Sequence, residues 1–157
     1  MITNDFFAAV KTKYLTLDWM DEDHFLLGES FAFSQKQDTY FPRLEVLPDK
    51  LKFDGNPTTE RMLDGSIRFI TIGYILEDTE ITVEENWFEV MDKSKEVFSL
   101  LGSFNTDKIN GTPPCDGFIQ MDVFPEIWWY EEKMTKRLFS FIIGSDANVS
   151  VTDLLNT

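Results

Sequence analysis

Two segments of the chain carry hydrophobic residues at helical spacing. In the first, Thr3 or Asn4 can accept the free N–H groups of a first turn, and the pattern predicts a helix over residues 4–17. The apolar positions of this helix are Phe6, Phe7, Val10, Tyr14 and Leu17. They share one face, which we expect to be buried.

The second helical segment has signals at both ends. Thr82 and Glu85 fit the reciprocal capping-box pattern, and Gly102 is a typical stop residue, so a helix is predicted over residues 83–101. Its predicted apolar face consists of Trp87, Phe88, Met91, Ser94, Phe98 and Leu101. Charged residues line the opposite face, as expected of a helix that packs on one side.

Between and after these helices, aromatic and β-branched residues predict strands. The predicted strands cover residues 24–33, 41–47, 66–76, 118–130 and 135–143. Residues 66–76 are apolar on both faces, which is typical of a central strand. Turn signals predict an exposed hairpin or loop over 49–65 and a hairpin through 131–134, and Pro42 should start or edge its sheet.

These elements predict an α+β fold, with a mixed, mainly antiparallel sheet packed by two main helices. The length of 157 residues favours a single domain over 1–157. Residues 102–117 show no periodicity, and an irregular stretch of that length often contacts a partner. From residue 144 the chain is mostly polar, so a flexible C-terminal arm is expected over 144–157.

Charge narrows the range of partners. Lys and Arg number 14 against 28 Asp and Glu, giving a formal net charge of −14. Such a charge repels phosphate backbones and disfavours free nucleic-acid binding. We expect no signal peptide and no membrane contact, because no basic start or apolar run of about 18 residues is present.

Few residues of the sequence fit the pattern of a catalytic or metal-binding site. Residues 28–32 (GESFA) resemble a nucleophile elbow around Ser30, but no helical pattern follows, and the only histidine, His24, precedes that serine. A single His24 and a single Cys115 leave no triad and no zinc site. The acidic run around Asp21 lacks the spacing of a calcium loop. We therefore predict no enzyme, no cofactor and no metal.

The most concentrated aromatic patch is Trp128-Trp129-Tyr130. Successive residues of a strand point to opposite faces, so Trp128 and Tyr130 should share one face and Trp129 should take the other. One face should pack in the core, and the other could form an oligomer interface. The further candidate interface residues are Lys108, Ile109, Pro113, Pro114 and Phe53.

An N-terminal helix, the phrase Phe41-Pro42-Arg43-Leu44-Glu45-Val46-Leu47-Pro48, a turn-rich insertion, a long strand and a long helix follow one another along the chain. Over about residues 4–143 this order resembles the lambda-type tail terminator (tail completion) family of long-tailed phages. The resemblance implies a virion tail protein, assembled in the host cytoplasm, that forms a hexameric ring on the tail tube. It also implies contacts with the tail-tube protein and with a head-completion or neck protein, while DNA passes without specific binding. No catalytic residues come with it.

Two alternatives stay open at the level of sequence. One is a head–tail neck or completion protein, which differs from a terminator in leaving tail length unchanged. The other belongs to another class, an acidic inhibitor or immunity protein whose carboxylates imitate phosphate in the cleft of a basic nuclease.

Overall fold

The computed structural model describes residues 2–28, 41–54, 62–124, 126–133 and 136–152. They form the predicted α+β fold, in which a mixed, mostly antiparallel sheet of six strands is packed with two helices. The elements are α1 (Ile2–Tyr14), β1 (Phe25–Leu27), β2 (Arg43–Asp54), β3 (Met62–Leu76), α2 (Val83–Ile109), β4 (Phe118–Val123), β5 (Ile127–Lys133) and β6 (Lys136–Thr152).

The sheet has the order β1-β2-β3-β6-β4, and β5 also pairs with β6. β1 and β2 run parallel, whereas all other pairs are antiparallel. β3 lies between β2 and β6 from Asp64 to Tyr74, which confirms its predicted central position. Pro42 directly precedes β2, as expected of a residue that cannot donate to the sheet.

The helices cover one face of this sheet. The residues of β6 that point to them are fully buried, namely Phe139, Phe141, Ile143, Ala147 and Val149. The Tyr14 hydroxyl of α1 shares a buried hydrogen bond of 2.6 Å with the Thr71 hydroxyl of β3. Lys13 and Asp107 form an ion pair of 2.6 Å between α1 and α2. The core therefore lies between the helix pair and this face, held by apolar burial.

The first helix ends three residues earlier than predicted. Residues 15–17 continue in tighter turns, with the amide of Leu17 donating to the carbonyl of Tyr14. Leu17 is nonetheless buried. Leu17 fits the apolar pattern because its side chain is buried, although the α-helix has already ended at Tyr14.

The second helix is longer than predicted. Its start is as expected, because the amide of Glu85 donates to the Thr82 hydroxyl at 3.1 Å. Gly102, the expected stop, lies inside the helix, which continues to Ile109. The reason is packing, since Phe104 is fully buried and the side chain of Asn105 bonds both to the amide and to the carbonyl of Met121 on β4.

The buried stripe of α2 is also rotated from the predicted one. It consists of Asn86, Val90, Ser94, Val97, Leu101 and Phe104. Phe88, placed by sequence on the apolar face, is 55% exposed. Because α2 ends at Ile109, the irregular stretch predicted over 102–117 shortens to the connection 110–117.

Both predicted hairpins are present. β2 and β3 pair as far as Asp54 and Asp64, so the 49–65 region is a hairpin of long strands, whose tip at 55–61 lies outside the described residues. β5 and β6 pair as far as Lys133 and Lys136. The strand predicted over 24–33 is described only as β1, and Ser30 of the nucleophile-elbow pattern lies outside the described residues.

The C-terminal arm expected over 144–157 is wrong for residues 144–152, which extend β6 along β3 and β4. Asp146, Asn148 and Ser150 alternate with Ala147 and Val149, which are buried under the helices. The segment looked polar in composition because only one of its two faces enters the core. Residues 153–157 lie outside the described residues.

Among the described residues, no helix is both long and apolar enough to cross a membrane.

Candidate functional site

One edge of the sheet is built from two successive strands. β4 pairs with residues 145–149 of β6, and β5 pairs with residues 136–142, so the two strands follow one another along the same side. The strand predicted over 118–130 is thus broken at 124–126. Within the described chain no strand pairs with the outer side of β4 or β5. On β4, the amide and carbonyl of Met121 that point away from β6 bond to the Asn105 side chain of α2. The outer side of β5 faces no described strand and can accept another one.

Large apolar side chains are exposed along this edge. We call the set the edge strip, and its members are Ile119, Phe124, Ile127, Trp128 and Tyr130. Ile127 is 63% exposed and Trp128 is 37% exposed. Single exposed apolar residues are ordinary, whereas five along one unpaired edge are typical of an interaction surface.

Two aromatic members of the edge strip, Trp128 and Tyr130, are held by contacts with α2. Trp128 lies opposite Phe141 in the sheet, and its indole N–H donates to the Ser94 hydroxyl of α2 at 2.9 Å. Tyr130 lies opposite Phe139, and its ring meets the ring of Trp87 edge-on with centroids 5.8 Å apart. Both side chains are therefore fixed against α2 while part of each remains exposed.

Trp129 takes the other face, as the strand alternation predicted. It lies opposite Ser140 and is half-buried. The three aromatic residues of the sequence patch therefore divide between the two faces of the sheet. Only Trp128 and Tyr130 belong to the edge strip.

Phe124 marks the break between β4 and β5. Its amide donates to the carbonyl of Gly144 at 2.9 Å, and its ring lies over that glycine, where a Cβ would be 3.2 Å from the ring. Gly144 thus leaves room for the Phe124 side chain. The break keeps Phe124 on the edge instead of in a regular strand pair.

The remaining sequence candidates lie elsewhere. Lys108 and Ile109 are exposed in the last turn of α2, and Pro113 and Pro114 follow in the connection to β4. This connection leads to the start of β4, which lies opposite Val149 of β6. Tyr130 lies opposite Phe139 of β6, so about 33 Å of β6 separates the start of β4 from the aromatic patch.

Phe53 lies on β2, on the far side of β3 and β6, and is partly buried against the core. The other five candidate interface residues predicted from the sequence therefore do not lie together with the aromatic patch Trp128-Trp129-Tyr130 on β5. Three members of the edge strip were missed by sequence reasoning: Ile119, Phe124 and Ile127. Nothing in the apolar pattern signals them, because an edge is defined by strand order.

A polar cluster occupies the face of the sheet opposite the helices. Arg43 lies opposite Tyr74, which lies opposite Ser140, and Glu45 is fully buried nearby. Burial, reinforced by the charges of Glu45 and Glu131, raises the pKa of Tyr74 to about 12. Tyr74 therefore stays protonated at neutral pH and serves as a hydrogen-bonding group, not as an acid or base.

The other reactive side chains are those of Cys115 and His24. Burial, with the nearby charges of Asp5 and Asp116, raises the pKa of the Cys115 thiol to about 11, which disfavours the reactive thiolate. The His24 ring and the Asp21 carboxylate are 2.6 Å apart at the surface, and this hydrogen bond lowers the pKa of Asp21. No three His, Cys, Asp or Glu residues in the described ranges are placed to hold a metal ion.

Comparison with known protein families finds no match, and a comparison with curated proteins finds no relative of this chain.

Proposed function

We propose that the protein is a structural subunit that assembles with copies of itself into a ring at the end of a phage tail tube. There it ends tube growth and offers a surface to the head-completion or neck protein. The observation that carries the assembly is the edge strip, because a second strand laid on the outer side of β5 would extend the sheet and cover Ile127 and Trp128.

The order of elements supports the choice of a tail protein. A short N-terminal helix, a β-hairpin with the Phe-Pro-x-Leu-x-Val phrase at its start, a long helix and further antiparallel strands follow one another. This is the order on which the resemblance to lambda-type tail terminators rests. The six-stranded sheet with its two helices agrees with the α/β fold that the family implies.

The charge of the chain supports a role around passing DNA. At −14 per subunit, a ring of six would carry a large negative charge, and carboxylates that face a channel repel phosphate. DNA would then pass without being retained. The contacts between subunits must be less charged than the rest of the surface, and the edge strip meets that condition.

Polymerising the tail-tube subunit of the same phage with and without this protein tests the proposal by electron microscopy. We expect tubes of limited length with a ring at one end when the protein is present, and overlong tubes when it is absent. Tails of normal length that fail to join heads in its absence would indicate a neck protein instead. Unchanged tubes without rings, or a one-to-one complex with a basic nuclease, would contradict the proposal.

A further inference from the structure

One hydrogen bond shows which backbone groups of β5 point away from β6. The carbonyl of Gly144 on β6 accepts from the amide of the residue that follows β4 at 2.9 Å, so Gly144 points towards the β4–β5 side. Because β6 pairs with β3 without a bulge, this direction alternates regularly along β6. Ser140 therefore points the same way and bonds to Trp129, which lies opposite it. The N–H and C=O groups of the neighbouring Trp128 and Tyr130 then point outward.

The part of this edge that another chain can use is short. On β4 the Asn105 side chain already bonds the outward amide and carbonyl of Met121. Residues 124–126 break the edge between the two strands, and β5 runs only from Ile127 to Lys133. A partner strand therefore has to pair with β5 itself.

A second copy of β5 can bind this edge about a two-fold axis. Residues with outward groups have to lie opposite each other, so an axis between two antiparallel copies passes through a single residue of each strand. An axis at Trp129 sets Trp128 of each copy opposite Tyr130 of the other. Every aromatic residue of β5 then lies opposite another aromatic residue, and such cross-strand pairs stabilise a sheet.

Other positions of the axis fit less well. At Trp128 the two strands overlap only over residues 127–129. At Tyr130, Trp129 lies opposite Glu131 instead of an aromatic residue, and at Glu131 the carboxylates of both copies lie opposite each other. The sequence of β5 therefore favours the axis at Trp129.

We infer that two free copies of this chain pair through β5 about a two-fold axis at Trp129. The pairing forms about four main-chain hydrogen bonds, from Trp128 and Tyr130 of each copy. On the helix side it brings the exposed parts of these two side chains together, and both are already fixed by contacts with α2. Because little side-chain freedom is left to lose, ordering them costs little. Both copies use the same surface, so the contact closes at two copies.

Such a dimer covers the surface that the proposed ring uses, so one copy cannot take part in both assemblies. An unpaired edge strand with exposed apolar side chains is prone to nonspecific pairing with other chains. The dimer protects this edge until the tail tube is present. This role rests on the proposed function, whereas the pairing itself rests on β5.

A cysteine at the axis tests the register, in a chain that also carries Cys115→Ser. Trp129 forms a non-hydrogen-bonded pair with its counterpart, in which the Cα atoms are about 4.5 Å apart, close enough for a disulfide. Trp129→Cys should therefore give a disulfide-linked dimer under mild oxidation. Ile127→Cys, opposite Glu131 of the other copy, should stay unlinked at the same protein concentration. Circular dichroism checks that both variants are folded.

Proline at position 130 tests the main-chain bonds without disturbing β6. The N–H that it removes points outward, and proline is tolerated at such positions of edge strands. Tyr130→Pro should therefore stay folded. Its dimerisation should be weaker by about ten-fold or more, in sedimentation velocity, than that of Tyr130→Ala, which loses the ring but keeps the N–H. Trp129→Pro removes an N–H that bonds to β6 and should destabilise the fold instead.

A folded Tyr130→Pro that dimerises as tightly as Tyr130→Ala would overturn the pairing, and so would a folded Trp129→Cys that stays unlinked. Wild type that forms rings before any tail tube is present would overturn the inference and support the proposed function. Dimers that meet both tests, from a protein that does not limit the length of tail tubes, would support the pairing and contradict the proposed function.

Discussion

The indole N–H of Trp128 donates a hydrogen bond of 2.9 Å to the Ser94 hydroxyl, which itself donates to the carbonyl of Met91 at 3.0 Å. Ser94 is fully buried on α2, and Trp128 belongs to the exposed edge of the sheet. This contact sets the position of an interface side chain from inside the molecule. It links the stability of the fold to the shape of the edge strip.

Replacing Ser94 by Ala should lower the free energy of unfolding by about 0.5–1.5 kcal/mol, because the indole N–H loses its acceptor. Urea unfolding followed by tryptophan fluorescence measures the change. Ser99→Ala, at an exposed position of the same helix, should be neutral or slightly stabilising, since Ala favours helix. Equal effects of the two substitutions would show that the Trp128 contact contributes nothing.

Replacing a glycine by alanine should have opposite effects on stability at Gly73 and at Gly102, because the two positions differ in their surroundings. A Cβ on Gly73 of β3 would overlap the buried Phe141 ring, so Gly73→Ala should destabilise the protein by about 1–3 kcal/mol. A Cβ on Gly102 inside α2 meets nothing within 4 Å, so Gly102→Ala should stabilise it by about 0.5–1 kcal/mol. Thermal and urea unfolding measure both. A stabilising Gly73→Ala would mean that the Phe141 ring does not lie where we place it.

Tyr74 should make stability fall at alkaline pH. Its pKa rises from 10 to about 12 on folding, so between those values the unfolded chain has lost a proton that the folded chain retains. The free energy of unfolding should then decrease from pH 10 upwards, by about 1–2 kcal/mol from this group. Tyr74→Phe should lose correspondingly less stability between pH 9 and pH 11.5 in urea titrations. Parallel pH profiles for the two proteins would refute this.

Local patterns in the sequence were sufficient to predict much of the fold. The start of α2 followed from Thr82 and Glu85, and the opposite faces of Trp128 and Trp129 followed from strand alternation. Both are consequences of backbone geometry over a few residues. The α+β class followed from the order of such local signals.

The features that the sequence did not predict depend on tertiary packing. Gly102 fails to end α2 because Phe104 and Asn105 find partners beyond it. Residues 144–152 form a strand because β3 and β4 flank them on both sides. Ile127 becomes an edge residue because β5 is outermost, and no short-range pattern encodes strand order.

The central claim is that the protein assembles with copies of itself through the edge strip. The molar mass in solution tests it most directly, measured by light scattering after size exclusion for wild type, Ile127→Asp and Ile109→Asp. Ile127 lies in the edge strip, and Ile109, 83% exposed at the end of α2, is the matched control at a candidate interface outside it. We predict an oligomer for wild type and Ile109→Asp, and a folded monomer for Ile127→Asp. Assembly that survives Ile127→Asp but is lost in Ile109→Asp would contradict the account.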